Sequence, residues 1–133
     1  MPLSSSTPRG VWLSAGFFAM SGVLEIALAL HDAPRPIPFD TVWQALGAGL
    51  LHFLVAWGLW HRIAVCRSVA MVYCLAVVVT YAAALLLALA QAPLRFPPSV
   101  VVQSLFQVPS CVLLFPFLRS PQAAALFPRP LFH

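Results

Sequence analysis

The sequence predicts an all-α membrane protein, an antiparallel bundle of four transmembrane helices with a short interfacial C-terminal segment. Three observations predict it. Of 133 residues, 62% are hydrophobic and 8% charged, where soluble domains carry about 25% charged residues. A chain this short has too little interior to hide so much apolar surface from water. The apolar residues also fall into four runs, each close to the roughly 20 residues that cross a hydrocarbon core of about 30 Å.

The first run, Gly10–Leu30, ends at His31-Asp32 and the stretch Pro34-Arg35-Pro36-Ile37-Pro38. Arg9 before it and Ala27-Leu28-Ala29 within it have the outline of a cleaved signal peptide. The run exceeds the roughly 7–15 residues of such a segment and contains Glu25, so it reads as a retained span. The alternating prolines cannot supply helix or ladder hydrogen bonds, so that stretch is expected to be extended and solvent-facing.

The second run, Thr41–Trp60, closes at His61-Arg62; Asp40-Thr41 with Gln44 matches a capping box. The third, Val69–Ala90, ends at Gln91-Ala92-Pro93. The fourth, Ser99–Leu118, follows Pro97-Pro98, where proline gives up no needed donor, and ends at Arg119. Ser120-Pro121 reads as the cap and first-turn proline of a short helix through Phe127, stopped by Pro128. That helix is too short to span and is expected along the membrane surface. The chain is one domain, with spans 10–30, 41–60, 69–90 and 99–118, an interfacial tail at 120–127, and no internal repeat.

The net charge of +4 comes from seven arginines and no lysine. They lie singly or in loose pairs, without the basic, aromatic-studded patch of a phosphate footprint, so no nucleic-acid partner is expected. Their distribution gives orientation instead. Arg9, Arg62, Arg67, Arg119 and Arg129 share one side; Arg35 and Arg95 lie on the other with Asp32 and Asp40. Five against two places both termini in the cytoplasm, with Trp12, Trp57 and Trp60 near that interface and Trp43 near the opposite one. Arginine as the sole basic residue beside a chain rich in Ala and Pro points to a GC-rich bacterial genome, hence a bacterial cytoplasmic membrane. Cys66, Cys74 and Cys111 form no CxxC and read as buried structural thiols; no Cys/His spacing suits a metal.

Polar and small residues do not scatter within the runs. Ser14, Ser21, Gly22, Glu25 and Ala29 share a face of the first; Gln44, Ala48, His52 and Ala56 recur every four residues in the second. Tyr73, Cys74, Thr80, Tyr81, Ala84 and Ala88 stripe the third, and Gln103, Gln107, Ser110 and Cys111 the fourth. Such faces mark helix–helix contact in membranes and suit one four-helix bundle.

Glu25 stands first among them. An intramembrane carboxylate costs about 2–3 kcal/mol on insertion scales, so it should face protein or water. Gln103, Gln107 and Tyr81 lie at depths from which each could donate to it. It is either a proton or cation site, or a protonated acid that bridges helices. His52 lies roughly 8 Å deeper by the helical rise, too far to touch Glu25 directly. It is the one central candidate for ligating a haem or pigment, although no second histidine faces it. Pro109 and Pro116 are expected to kink the fourth helix or free its carbonyls.

Gly58-Leu59-Trp60-His61-Arg62, Cys66-Arg67-Ser68-Val69-Ala70 and Leu118-Arg119-Ser120-Pro121 carry a resemblance. Over Gly47–Phe127 the chain resembles a loose group of small bacterial four-helix inner-membrane proteins that carry no known activity. Small multidrug-resistance transporters also have four helices and a glutamate in the first. Only Glu25 maps onto them; their short loops and other substrate-site residues are unmatched.

No nucleophile–base pair, metal cluster, phosphate loop or paired carboxylate is present. The expectation is a non-enzymatic accessory or structural subunit packing against other transmembrane subunits or itself. Membrane lipid surrounds it, a lipid, quinone or pigment is its conceivable ligand, and the sequence requires no cofactor. The alternative is a small proton-coupled transporter or ion path built on Glu25.

Overall fold

Each apolar run folds into one α-helix in the computed structural model, which describes residues 9–90 and 98–127, Ala88 and Leu89 by backbone alone. Arg95 and Arg129 of the arginine count, Pro97, Pro128 and the side chain of Ala88 lie outside the described residues. The helices are α1 (Arg9–Asp32), α2 (Phe39–Trp60), α3 (Ala64–Ala90), α4 (Pro98–Arg119) and α5 (Pro121–Leu126). The first four are long and apolar enough to cross a membrane.

Two boundaries differ from the sequence reading, each for a local reason. Pro38, extended at φ −64° and ψ 143°, precedes α2, and no side chain caps that end. Thr41 therefore lies inside the first turn, and its capping box with Gln44 does not form. The connection to α3 is also shorter than expected, because α2 closes in a tight Schellman turn. The Ile63 N–H donates to the Gly58 carbonyl at 2.8 Å and the Arg62 N–H to that of Leu59 at 3.1 Å. Arg62 takes φ 60°, the left-handed position usually given to glycine. Arg67, which its charge assigned to a loop, thus falls in the first turn of α3. Its Nε donates to the Leu118 carbonyl at 2.7 Å, one of the four at the end of α4 that lack an in-helix donor.

α4 continues as helix through Pro109 and Pro116. Ser120 caps α5, its Oγ accepting from the Ala123 N–H at 3.1 Å. Ala123 and Phe127 are buried in the same core as Val11, Phe18, Leu59 and Leu118. The short helix is thereby tied to the end of the bundle rather than lying apart from it.

α1 packs on α2 and α4, and α3 packs on the same two, so the four long helices form a ring. The buried residues of α1 include Ser14, Ser21 and Gly22, on the anticipated face. On α2 His52 and Ala56 are buried as expected, while the first half of the stripe is displaced by one residue: Ala45 and Gly49 are buried, Ala48 is half-buried and Gln44 is exposed. Ala45 and Gly49 admit a close neighbour, whereas a glutamine near a helix end can reach polar surroundings. On α3 Cys74 is buried, Tyr73, Tyr81 and Ala84 are half-buried, and Thr80 is exposed; on α4 Gln107 and Cys111 are buried.

Candidate functional site

Two glycines set the spacing of α1 and α2. A Cβ built on Gly22 would lie 3.0 Å from the His52 Cβ and 3.1 Å from the Gly49 carbonyl oxygen. One built on Gly49 would collide with Ile26. The backbones approach because neither position carries a side chain, and Gly22 comes level with His52.

Glu25 stands three residues beyond Gly22, about 4.5 Å along the axis. Side chains on a helix tilt toward its N-terminus, so the carboxyl returns to the level of Gly22 and meets the ring of His52. Glu25 Oε2 is 3.3 Å from His52 Nδ1. This corrects the expectation that the two do not touch: counting rise from the helix ends ignored the register the glycines impose.

The same Nδ1 lies 2.9 Å from the Ala48 carbonyl. A carbonyl can only accept, which assigns the ring hydrogen to Nδ1, with the Glu25 carboxyl as second partner. The His52 side chain is 7% exposed and that of Glu25 30%. His52 Nε2 and Ser21 Oγ are buried without a hydrogen-bond partner among the described residues. An unpaired buried group of this kind costs about 1–3 kcal/mol.

Across the bundle, Gln107 Nε2 donates to the Tyr73 hydroxyl at 3.0 Å. The His52 and Tyr73 rings meet edge-on with centroids 5.0 Å apart. Phe18 lies against both, at 6.1 Å from His52 and 5.2 Å from Tyr73. Glu25, His52, Tyr73 and Gln107 thus give one polar side chain from each long helix, arranged around an aromatic centre. A cavity of about 30 Å³ lies beside His52 and Tyr73, walled otherwise by Phe18, Leu51, Val55 and Val69.

Of the residues singled out from the sequence, Glu25 and His52 come together, and Gln107 turns to Tyr73 instead of Glu25. Gln103 is half-buried and makes no side-chain hydrogen bond among the described residues. Tyr81 lines a separate apolar groove of about 420 Å³ with Ser104 and Pro109. Neither is a donor to Glu25. Tyr73 is the member that sequence reasoning left off its site; its place two turns before Tyr81, on the same stripe, was the available signal.

The space beside His52 is small. The cavity that His52 helps to line holds about 30 Å³, whereas pockets for cofactors start at about 300 Å³. No three His, Cys, Asp or Glu among the described residues converge as a metal site would require. What the centre can do is share the Nδ1 hydrogen of His52 with the Glu25 carboxyl and tie the four long helices together through polar and aromatic contacts. Searches of family models, curated proteins and solved structures find no match for this chain.

Proposed function

We propose that this chain is a non-enzymatic integral membrane subunit whose α3–α4 side packs against other transmembrane helices. Insertion in a bilayer, with the helices antiparallel and both termini cytoplasmic in a bacterial inner membrane, is part of this reading. It is supported by the exposed Trp12, Trp57 and Trp60 toward one end and Trp43 toward the other, the positions of an aromatic belt. The successive contacts of Gly22 with His52 and of Gly49 with Ile26 favour opposite chain directions.

The observation that carries the subunit reading is an asymmetry of burial. Over their most apolar stretches, 33% and 39% of residues are buried in α1 and α2, against 11% in each of α3 and α4. A self-contained bundle would bury its four helices more evenly. Grooves of about 420 Å³ between α3 and α4 and about 460 Å³ between α1 and α4 suit lipid chains or a lipophilic ligand. A photo-crosslinking amino acid placed at Val72, Leu113 or Leu50 in intact cells tests it. Polypeptide adducts should form from Val72 and Leu113, with lipid adducts alone from Leu50. Lipid adducts alone from all three would reject the subunit reading.

A second reading, a small proton-coupled transporter or ion path, gains from the 3.3 Å contact of Glu25 with His52. A carrier needs a group that changes protonation and faces both sides in turn. Glu25→Gln keeps size and hydrogen bonding while removing the titratable proton. Loss of pH-driven flux in proteoliposomes from a Glu25→Gln protein that assembles normally would favour this reading.

A further inference from the structure

We propose that Cys74 and Cys111 are an opposed dithiol that closes to a disulfide across α3 and α4 by exchange with a membrane-permeant disulfide. The placement follows from the Arg67–Leu118 contact at 2.7 Å. Cys74 lies seven residues after Arg67, and Cys111 seven residues before Leu118. Seven residues are close to two helical turns, so each cysteine repeats the face of its contact partner.

The neighbouring pair fixes the direction. Tyr73 meets Gln107, so rising numbers on α3 meet falling numbers on α4. Two turns from the Arg67–Leu118 contact, the two thiols therefore arrive at one height on one seam. Both have no exposed surface and belong to one core cluster of packed side chains. Cys66, half-buried at the start of α3, is not part of this pair.

Their burial among apolar side chains selects the reagent, an uncharged apolar disulfide in place of a charged, water-borne oxidant. The step balances as thiol–disulfide exchange. One thiolate attacks a sulfur of the reagent, giving a mixed disulfide and expelling one reagent thiol. The second thiolate attacks the protein sulfur of that mixed disulfide, forms the Cys74–Cys111 bond and expels the other. Two protons leave the protein with the two released thiols, and the reagent is reduced.

The probe is 4,4′-dithiodipyridine added to the full chain carrying Cys66→Ser, in lipid nanodiscs. The expected result is two thiopyridones released per chain, no retained label, and a mass lower by two hydrogens. Peptide mapping should recover Cys74 joined to Cys111, in the wild-type chain as well. Adding Cys74→Ser should leave one retained label at Cys111 and no crosslink. Retained labels on both cysteines, a link between chains only, or no closure of the pair would each overturn the proposal.

Discussion

Glu25 Oε2 lies 3.3 Å from His52 Nδ1, and that nitrogen also lies 2.9 Å from the Ala48 carbonyl. The histidine is therefore held twice, once by its own helix and once by the neighbouring one. Losing the glutamate does not orphan Nδ1; losing the histidine removes a ring packed against Phe18 and Tyr73. Glu25→Gln should cost less than about 1 kcal/mol, and Glu25→Leu about 1 kcal/mol, the size of a hydrogen bond between membrane helices. His52→Ala should cost about 2–4 kcal/mol, as large-to-small core changes do, and His52→Phe clearly less, since it refills the space. Reversible unfolding in mixed micelles, followed by circular dichroism, ranks the four. A Glu25→Leu cost equal to that of His52→Ala would contradict this assignment.

The two glycines between α1 and α2 make a sharper contrast. At Gly22 a methyl would meet the His52 Cβ and the Gly49 carbonyl oxygen, neither the end of a flexible chain. Gly22→Ala should therefore cost about 1–3 kcal/mol through overpacking. At Gly47 nothing lies within 4 Å of the added carbon, and alanine is the better helix former by up to about 1 kcal/mol. Gly47→Ala should be neutral or stabilising in the same unfolding assay. Equal effects at both positions would rule out the close helix approach.

How far the site was legible in the sequence follows from these residues. Glu25, His52 and Gln107 stood out because each is polar within an apolar run. Tyr73 did not join them, since a tyrosine is mostly an apolar ring and its hydroxyl matters only where a partner is found. The Glu25–His52 contact could not be read from depth, because Gly22 and Gly49 decide the register and look in a sequence like any small residues. Charge misled once. Arg67 reads as a loop residue, yet its long side chain lets its backbone stay helical while Nε reaches the carbonyl of Leu118. The four helices themselves were legible, since apolar runs of that length leave few other structures open.

The Arg67 contact should govern the end of the bundle. A charged donor on an otherwise unpaired carbonyl contributes about 1.5–3 kcal/mol, and here it also steadies the turn into α5. Arg67→Gln should lower amide hydrogen-exchange protection at Ala123 and Ala124, whose N–H groups close the first turn of α5. Protection near Gly22 should stay unchanged. Unaltered exchange in α5 would show that Arg67 is not what holds this end.

The subunit reading stands or falls on what accompanies the chain in the membrane. Native mass spectrometry of complexes extracted into lipid nanodiscs without prior detergent measures this directly. The account predicts a stoichiometric species well above the 14.4 kDa of one chain, containing further membrane-spanning chains of its own or another kind. It also predicts that the species survives Glu25→Gln and is lost when Val72 and Leu113 are both changed to tryptophan. A single 14.4 kDa chain carrying lipid alone would contradict it.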